Sequence, residues 1–300
     1  MPAEYEKGDY CYMTTLFLDS DMDITPEEAA SYGAKLISMP YSYDGKTIYP
    51  YVDFESFDSD AFYELLRQGV LPTTSAITER EYTEYFEPEF AAGKDILYVH
   101  FSAAMTNTFD FMHLALRKLL QRFPERKFYE IDTKGITTIS RNIGLAAADL
   151  YKAGKTPEEI VAWGAQEVDH YAMYFMADDL KFFRRSGRVS GLSATMGNLL
   201  GIRPIITMSA EGKMVSVGKE KGRRKALDRL AQYVVDLGEN VKDHRIIIGH
   251  TGNLPLAEEL AEVIRERIGD CEISYQAVNP TAGSHCGPDG VGVTFHAVHR

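Results

Sequence analysis

The chain has 300 residues, 45% of them hydrophobic and 25% charged, and carries a formal net charge of −12. That length suffices for two domains of ordinary size, each with its own core, and the composition is that of a globular protein. The acidic balance excludes a general nucleic-acid binder, whose affinity rests on many Lys and Arg contacts to phosphate. Residues 1–10 are polar and acidic, without the basic start and apolar core of a signal peptide. No apolar run approaches the roughly 20 residues that a membrane span needs. Cys11, Cys271 and Cys286 form neither a disulfide framework nor a CxxC pair. The expectation is a reduced, cytoplasmic protein with no nucleic-acid partner and no integral membrane association.

Residues 14–18 are a short β-rich run ending on Asp19-Ser20-Asp21. A helix start follows, with Thr25 as N-cap, Pro26 at the first helical position and Glu28 three residues after the cap. Segments 37–39 and 47–52 flank Asp44-Gly45, a hairpin turn signal. Residues 96–100 read as a buried strand. The helix after them places Phe109, Met112, Leu116, Leu119, Leu120 and Phe123 on one face. With a further strand at 128–131, this alternation predicts a parallel sheet.

Thr156, Pro157 and Glu159 repeat the capping pattern, for a helix to about Val168. Residues 171–176 then open a new strand. Segments 204–208 and 213–217 flank Ala210-Glu211-Gly212, so antiparallel pairing is expected in this half. A strand at 245–249, a helix capped by Asn253, and strands at 272–278 and 291–298 complete the chain. The predicted fold is α/β with two domains. Residues 1–165 form an N-terminal parallel-sheet domain, residues 166–300 a C-terminal mixed-sheet domain, and a ligand lies between them.

Four segments could carry chemistry. Residues 182–191 place three arginines, two serines and two glycines in a turn suited to an anionic group, or simply in a solvated basic turn. Residues 102–108 join a strand to a helix at the carboxyl edge of the sheet, where hydroxyls and free N–H groups favour an anion, although Thr106 could merely cap the helix. Leu71-Pro72-Thr73-Thr74-Ser75 is a hydroxyl cluster that also reads as a turn before a helix beginning near Thr78. Residues 283–290 read as a glycine-rich loop, with His285 the histidine best suited to a polar ligand contact. Neighbouring side chains in an extended segment diverge, so His285 and Cys286 do not make a nucleophile–base pair, and no second ligand at metal spacing accompanies them. His100, at the end of an apolar strand, reads as a core or rim histidine. No P-loop, strand-initial GxGxxG or GxSxG is present.

These segments occur in the order found in the DegV family, which the chain resembles over nearly its whole length. Leu18-Asp19-Ser20 with Asp23 are similar to the family's V-T-D-S-x-x-D opening. Thr74-Ser75 match its T-S-x-P-S, with Ile77 in place of the proline. Residues 102–108 align with S-S-G-L-S-G-T and residues 185–191 with G-G-R-I-S-G. Residues 198–205 resemble N-L-L-x-I-K-P-I, residues 221–227 resemble R-x-R-K-K-A-L, and His285 with Gly287-Pro288 fall on H-x-G-P-G. The chain departs from the family at Ala103, which replaces a serine, at Ala104 and Asn107, which replace glycines, and at Cys286 and Asp289.

The resemblance implies a non-catalytic subunit without a cofactor, which holds a long-chain fatty acid in an interdomain tunnel. It would offer the acyl carboxylate to a partner, the catalytic subunit of a fatty acid kinase, for acyl-phosphate formation. By position the implied ligand-binding residues are Thr74, Ser75, Ser102, Ala103, Arg188 and His285. Arg223 is the implied partner contact, within the basic segment 219–225. No metal site is implied. The alternative from the enzyme class is an acyl hydrolase or acyltransferase using Ser102 or Cys286.

Overall fold

The computed structural model describes residues 13–178, 180–190 and 201–300, with Ser190 described by its backbone alone. Cys11, Gly191 and the 198–200 part of the family-like motif lie outside the described residues. β1 (Thr14–Asp19) is buried along its whole length, with Leu16, Phe17 and Leu18 consecutive at its centre, as befits a strand paired on both sides. It pairs in parallel with β2 (Lys35–Ile37) on one side and β6 (Asp95–His100) on the other. β6 pairs in parallel with β7 (Phe128–Asp132), giving a four-stranded sheet of order β2-β1-β6-β7. The helices α1 (Pro26–Ser31), α3 (Glu79–Ala91) and α4 (Thr108–Arg122) fill its crossovers. Thr25 accepts from the Glu28 N–H, and Thr78 forms a reciprocal capping box with Glu81.

The Asp44-Gly45 turn does make a hairpin, but its first arm is β3 (Tyr41–Tyr43), not residues 37–39. Ile37 instead closes β2 in the parallel sheet. The second arm is the short β4 (Lys46–Ile48). After α2 (Ser59–Arg67), β5 (Thr73–Thr74) adds to β3 in a small antiparallel sheet of order β4-β3-β5.

The second half builds a seven-stranded mixed sheet of order β13-β12-β14-β8-β10-β11-β9. Its strands are β8 (Tyr171–Met176), β9 (Val189–Ser190), β10 (Ile202–Met208), β11 (Met214–Lys221), β12 (Ile246–His250), β13 (Ile273–Ala277) and β14 (Val291–His296). β8 shows how one strand serves two cores. Ala172, Tyr174 and Met176 face a core closed by α8 (Arg223–Leu237) and α9 (Leu254–Ile268), whereas Tyr171 and Met173 belong to the large core shared with the first half. β11 runs to Lys221, so Lys219 and Lys221 belong to a strand, and the basic helix begins only at Arg223.

α5 (Thr138–Lys152) contacts β1 and β6 of the first sheet and β8, β12 and β14 of the second. It is buried on nearly every side, from Ile139 through Ile143 and Ala147 to Tyr151. α6 (Pro157–Glu167) then packs on β7 and α5, and its capping box at Thr156 and Glu159 matches the sequence signal. Two short helices complete the site. α7 (Lys181–Ser186) occupies most of what reads as a basic turn, and it stops at Gly187 in the left-handed region. α10 (Pro280–Cys286) corrects the expected loop at 283–290. Asn279 accepts from the Ala282 N–H, Pro280 sits in the first turn, and residues 280–284 are buried. Glycine serves close packing here, because a Cβ at Gly283 would lie 2.6 Å from the Tyr63 hydroxyl.

Candidate functional site

Thr74 and His285 are 211 residues apart in the chain, yet Thr74 Oγ1 and His285 Nε2 share a hydrogen bond of 2.8 Å. β5 presents the threonine and α10 the histidine. α10 is fixed from several sides. Thr281 Oγ1 donates to the Met39 carbonyl at 2.7 Å, and both amide groups of Asn279 donate to Asp23 Oδ1, at 2.7 and 2.8 Å. Its end is set by Gly287, which has φ +73° and whose added Cβ would overlap the Phe182 ring. Burial, followed by the charges of Arg188 and Arg185, pushes the His285 imidazole down to about 4. The ring is therefore neutral near pH 7 and offers one donor and one acceptor nitrogen.

Around this pair lies a polar cavity of about 140 Å³. Thr74, Ser75, Thr106, Asn107, Arg188 and Asp21 line it along with His285. Arg188 is solvent-exposed and donates to the Ser186 carbonyl at 3.3 Å. Four of the six implied ligand residues, Thr74, Ser75, Arg188 and His285, thus meet at one place. Ser102 and Ala103 do not line the cavity. The Ser102 hydroxyl is fully buried, donates to the Gly212 carbonyl at 2.8 Å and accepts from the Ala104 N–H at 3.2 Å, so it ties the two sheets together. Ala103 lies in a single 3-10 turn (Ala103–Met105). Neither Ala104 nor Asn107 has positive φ, so the loss of the family's glycines costs this loop nothing. Thr106 and Asn107 are the members of the 102–108 segment that reach the cavity.

A second cavity, narrow and apolar, of about 50 Å³, adjoins the first. Ile136 lines both, and consecutive residues of α10 divide between them, His285 in the polar one and Cys286 in the apolar one. Met173, Met176, Phe183, Met214 and Val291 form much of its wall. The Cys286 thiol is pushed up to about 12 by burial and by the neighbouring Asp23 and Asp21 carboxylates. A thiol held in that state is a poor nucleophile. Ser102, whose proton goes to a backbone carbonyl, is no better prepared. Neither residue has the imidazole partner that acyl chemistry needs among the described hydrogen bonds.

Asp21 is a cavity residue that sequence motifs alone did not single out. Its signal is the run of carboxylates Asp19, Asp21 and Asp23 at the end of a buried strand. All three are buried. Burial raises Asp19 to about 7 against the opposing charge of His100, and raises Asp23 to about 7 against its bonds from Asn279. His100 itself is a core residue, fully buried, with Nδ1 2.6 Å from the Phe101 carbonyl and Nε2 3.0 Å from Glu130.

Arg223 opens α8 on the exposed surface. It lies 3.6 Å from Asp178, which also meets Arg203 at 2.6 Å. Asp289, where the family has glycine, keeps a positive φ of 63°. Its carboxylate accepts from Arg67 at 3.0 and 3.2 Å and from Asn253 at 2.9 Å, so the departure supplies a clamp between α2 and the second sheet. Among the described residues no cluster of side chains is arranged to hold a metal ion, and no helix is long and apolar enough to cross a membrane.

The family model described as "Uncharacterised protein, DegV family" matches residues 13–298. A DegV domain-containing protein of Clostridium perfringens is 30% identical over 93% of this chain and 96% of its own length. One from Streptococcus pyogenes is 26% identical over the same shares. Among solved structures, a DegV family protein from Thermus thermophilus described for its fatty acid binding superposes with a TM-score of 0.82 at 23% identity, covering 95% of this chain and 100% of the other. A stearic acid-binding protein from Eubacterium ventriosum gives 0.83 at 17%, with 95% and 98% covered. The fatty acid binding protein DegV of Bacillus subtilis gives 0.78 at 22%, with 95% and 99% covered.

Proposed function

This chain belongs to the DegV family, and we propose that it is a non-catalytic carrier of one long-chain fatty acid. The carboxylate sits in the polar cavity at Thr74 and His285, and the acyl chain passes Ile136 into the apolar cavity. The observation that carries this reading is the division of α10. One residue of it faces a hydrogen-bonding chamber, and the next faces an adjoining apolar one. An amphiphile with a single anionic end is the ligand that fits such a pair.

The energetics agree. Each buried CH₂ contributes roughly 0.8 kcal/mol, so a long acyl chain supplies on the order of 10 kcal/mol before ordering costs. A carboxylate is costly to bury without donors, and the Thr74 hydroxyl, His285, Arg188 and the hydroxyls of Ser75 and Thr106 surround the place where it would lie. Met173 and Met214, whose side chains belong to the core between the two sheets, have flexible thioether chains that can change rotamer to admit a tail. Native mass spectrometry of protein incubated with stearic acid tests the carrier reading. One acyl ligand per chain is expected, and no uptake would refute it.

The presentation of the carboxylate to a kinase is the finer part of the proposal, with Arg223 as a partner contact. Arg223, Arg224 and Lys225 are exposed at the start of α8 in an otherwise acidic protein, a local field that attracts an acidic partner. Arg223→Ala is expected to leave stearic acid affinity unchanged while lowering acyl-phosphate formation by a cognate fatty acid kinase. Unchanged acyl-phosphate formation would remove Arg223 from the interface.

A further inference from the structure

Asp21 is 4% exposed and lines the polar cavity, and its Oδ1 has no hydrogen-bond partner among the described residues. An orphaned carboxylate oxygen this deeply buried is costly unless the group is neutral or a ligand completes it. The Asp21 backbone is held firmly. Its N–H donates to Asp19 Oδ1 at 3.0 Å, and its carbonyl accepts from the Thr137 N–H at 2.8 Å. Thr137 itself is held at φ 56°, an unfavourable conformation for a β-branched residue that the surrounding contacts must enforce.

The charges facing Asp21 come from every neighbouring element. On its own turn stand Asp19 and Asp23; from α10 come His285 and Cys286; across the cavity stands Arg188; from β6 comes Tyr98. Arg141 of α5 is directed to the Asp23 carbonyl and Glu28 instead. Asp19 already accepts from Asp21 N–H, Phe101 N–H and the Tyr98 hydroxyl, and Asp23 accepts twice from Asn279. Those bonds favour the charged forms of Asp19 and Asp23. Asp23 Oδ2 is also without a partner, but that carboxylate already accepts two bonds on Oδ1, whereas no described hydrogen bond reaches the Asp21 carboxylate at all, so a proton shared by the cluster belongs on Asp21. Burial, then Asp19 and Asp23, holds Asp21 well above the usual carboxylate range, which agrees.

We propose that Asp21 is a ligand contact in its protonated form, its carboxyl O–H donating one hydrogen bond to the fatty-acid carboxylate held by Thr74 and His285. This inference rests on the carrier reading above. Two carboxyl groups side by side in a buried site are tolerated when they share a single proton. The proton stays on Asp21 and the ligand keeps its negative charge beside Arg188. A neutral donor at this position selects a carboxylate head group over an ester or alcohol, which would accept the bond less strongly.

Infrared difference spectroscopy of the full chain, with stearic acid isotope-labelled at its carboxyl carbon, tests the proposal. Expected is a carbonyl band of a protonated carboxylic acid that the label does not shift, that moves when stearic acid binds, and that is absent in Asp21→Asn. A band that shifts with the label would put the proton on the ligand and overturn the proposal. So would a ligand-sensitive band retained in Asp21→Asn, or none at all in the complex; protonated Asp19 or Asp23, both raised to about 7, would give bands that stearic acid does not move. Should Asp21→Asn fail to fold, the ligand-induced movement of the band decides, since Asp19 and Asp23 do not line the cavity; a band unmoved by ligand overturns it. If the parent protein takes up no stearic acid in the same samples, the carrier reading itself has failed, a result separate from these.

Discussion

The two adjoining cavities are made in different ways. The apolar one takes its wall largely from one sheet, through Met173, Phe175, Met176, Val291 and Gly292 of neighbouring β8 and β14. The polar one is assembled from β5, α10, the 3-10 turn after β1, the start of α4 and the segment after α7, which meet only in the folded protein. An apolar wall tolerates approximate placement, because hydrophobic burial is non-directional. A carboxylate site does not, because donors must sit within hydrogen-bond reach. The chain accordingly surrounds the polar cavity with long-range ties: Thr281 to Met39, Asn279 to Asp23, Tyr63 to Val278 and Arg67 to Asp289.

The largest effect is expected where both cavities depend on one residue. Gly287→Ala adds a Cβ at φ +73° against Phe182, at the end of the helix that carries His285 and Cys286. A loss of about 2–4 kcal/mol in urea denaturation is expected from backbone strain and overpacking combined. A midpoint equal to the parent's would show that α10 is not held as described.

Acidity separates by sign a group that lines the polar cavity, His285, from one beside it, Asp23. His285 takes its proton at about 4 in the fold and near 6.5 when unfolded, so the unfolded chain binds more protons between those values. Relative to His285→Gln, the parent should lose stability as pH falls through that window, by up to about 1.4 kcal/mol per pH unit. Asp23 runs the other way. Its folded value of about 7 lies above the unfolded 3.8, so its contribution is full below 3.8 and is lost as pH rises towards 7. Against Asp23→Asn the parent should therefore weaken with rising pH. Parallel stability–pH curves for parent and either variant would contradict the corresponding assignment.

The smallest of the three effects is the most specific. Thr74→Val keeps the side chain's shape and removes the hydroxyl that meets His285. Fatty-acid affinity is expected to fall about tenfold, the equivalent of one hydrogen bond to a charged group, with little change in thermal midpoint. Equal loss of affinity and stability would make Thr74 a structural residue only.

Much of the fold was legible because its elements carry local signals. The capping residues Thr25, Thr78 and Thr156 mark helix starts, and apolar runs mark β1, β6 and β8. α5 has no such signal. Buried on nearly all sides between two sheets, it buries polar and small residues such as Ser140, Asn142 and Gly144 along with its apolar ones, and Thr137 before it makes no side-chain cap. α10 was hidden by glycines at 283 and 287, which read as loop yet serve close contact with Tyr63 and Phe182. At the site, Thr74, Arg188 and His285 stood out through the family motifs. Ser102 stood out equally, but motif position says nothing of which way a hydroxyl points, and this one bonds to Gly212. Asp21 was visible as a residue and not as a function, since an unpartnered oxygen exists only in three dimensions.

The most direct test of the account is a crystal structure with stearic acid bound. Its carboxylate is expected within hydrogen-bond reach of Thr74 Oγ1, His285 and Asp21, with the chain running past Ile136 between Met173, Phe183 and Met214. A ligand lodged elsewhere, or one whose carboxylate points towards Cys286 with its tail at Thr74, would contradict it.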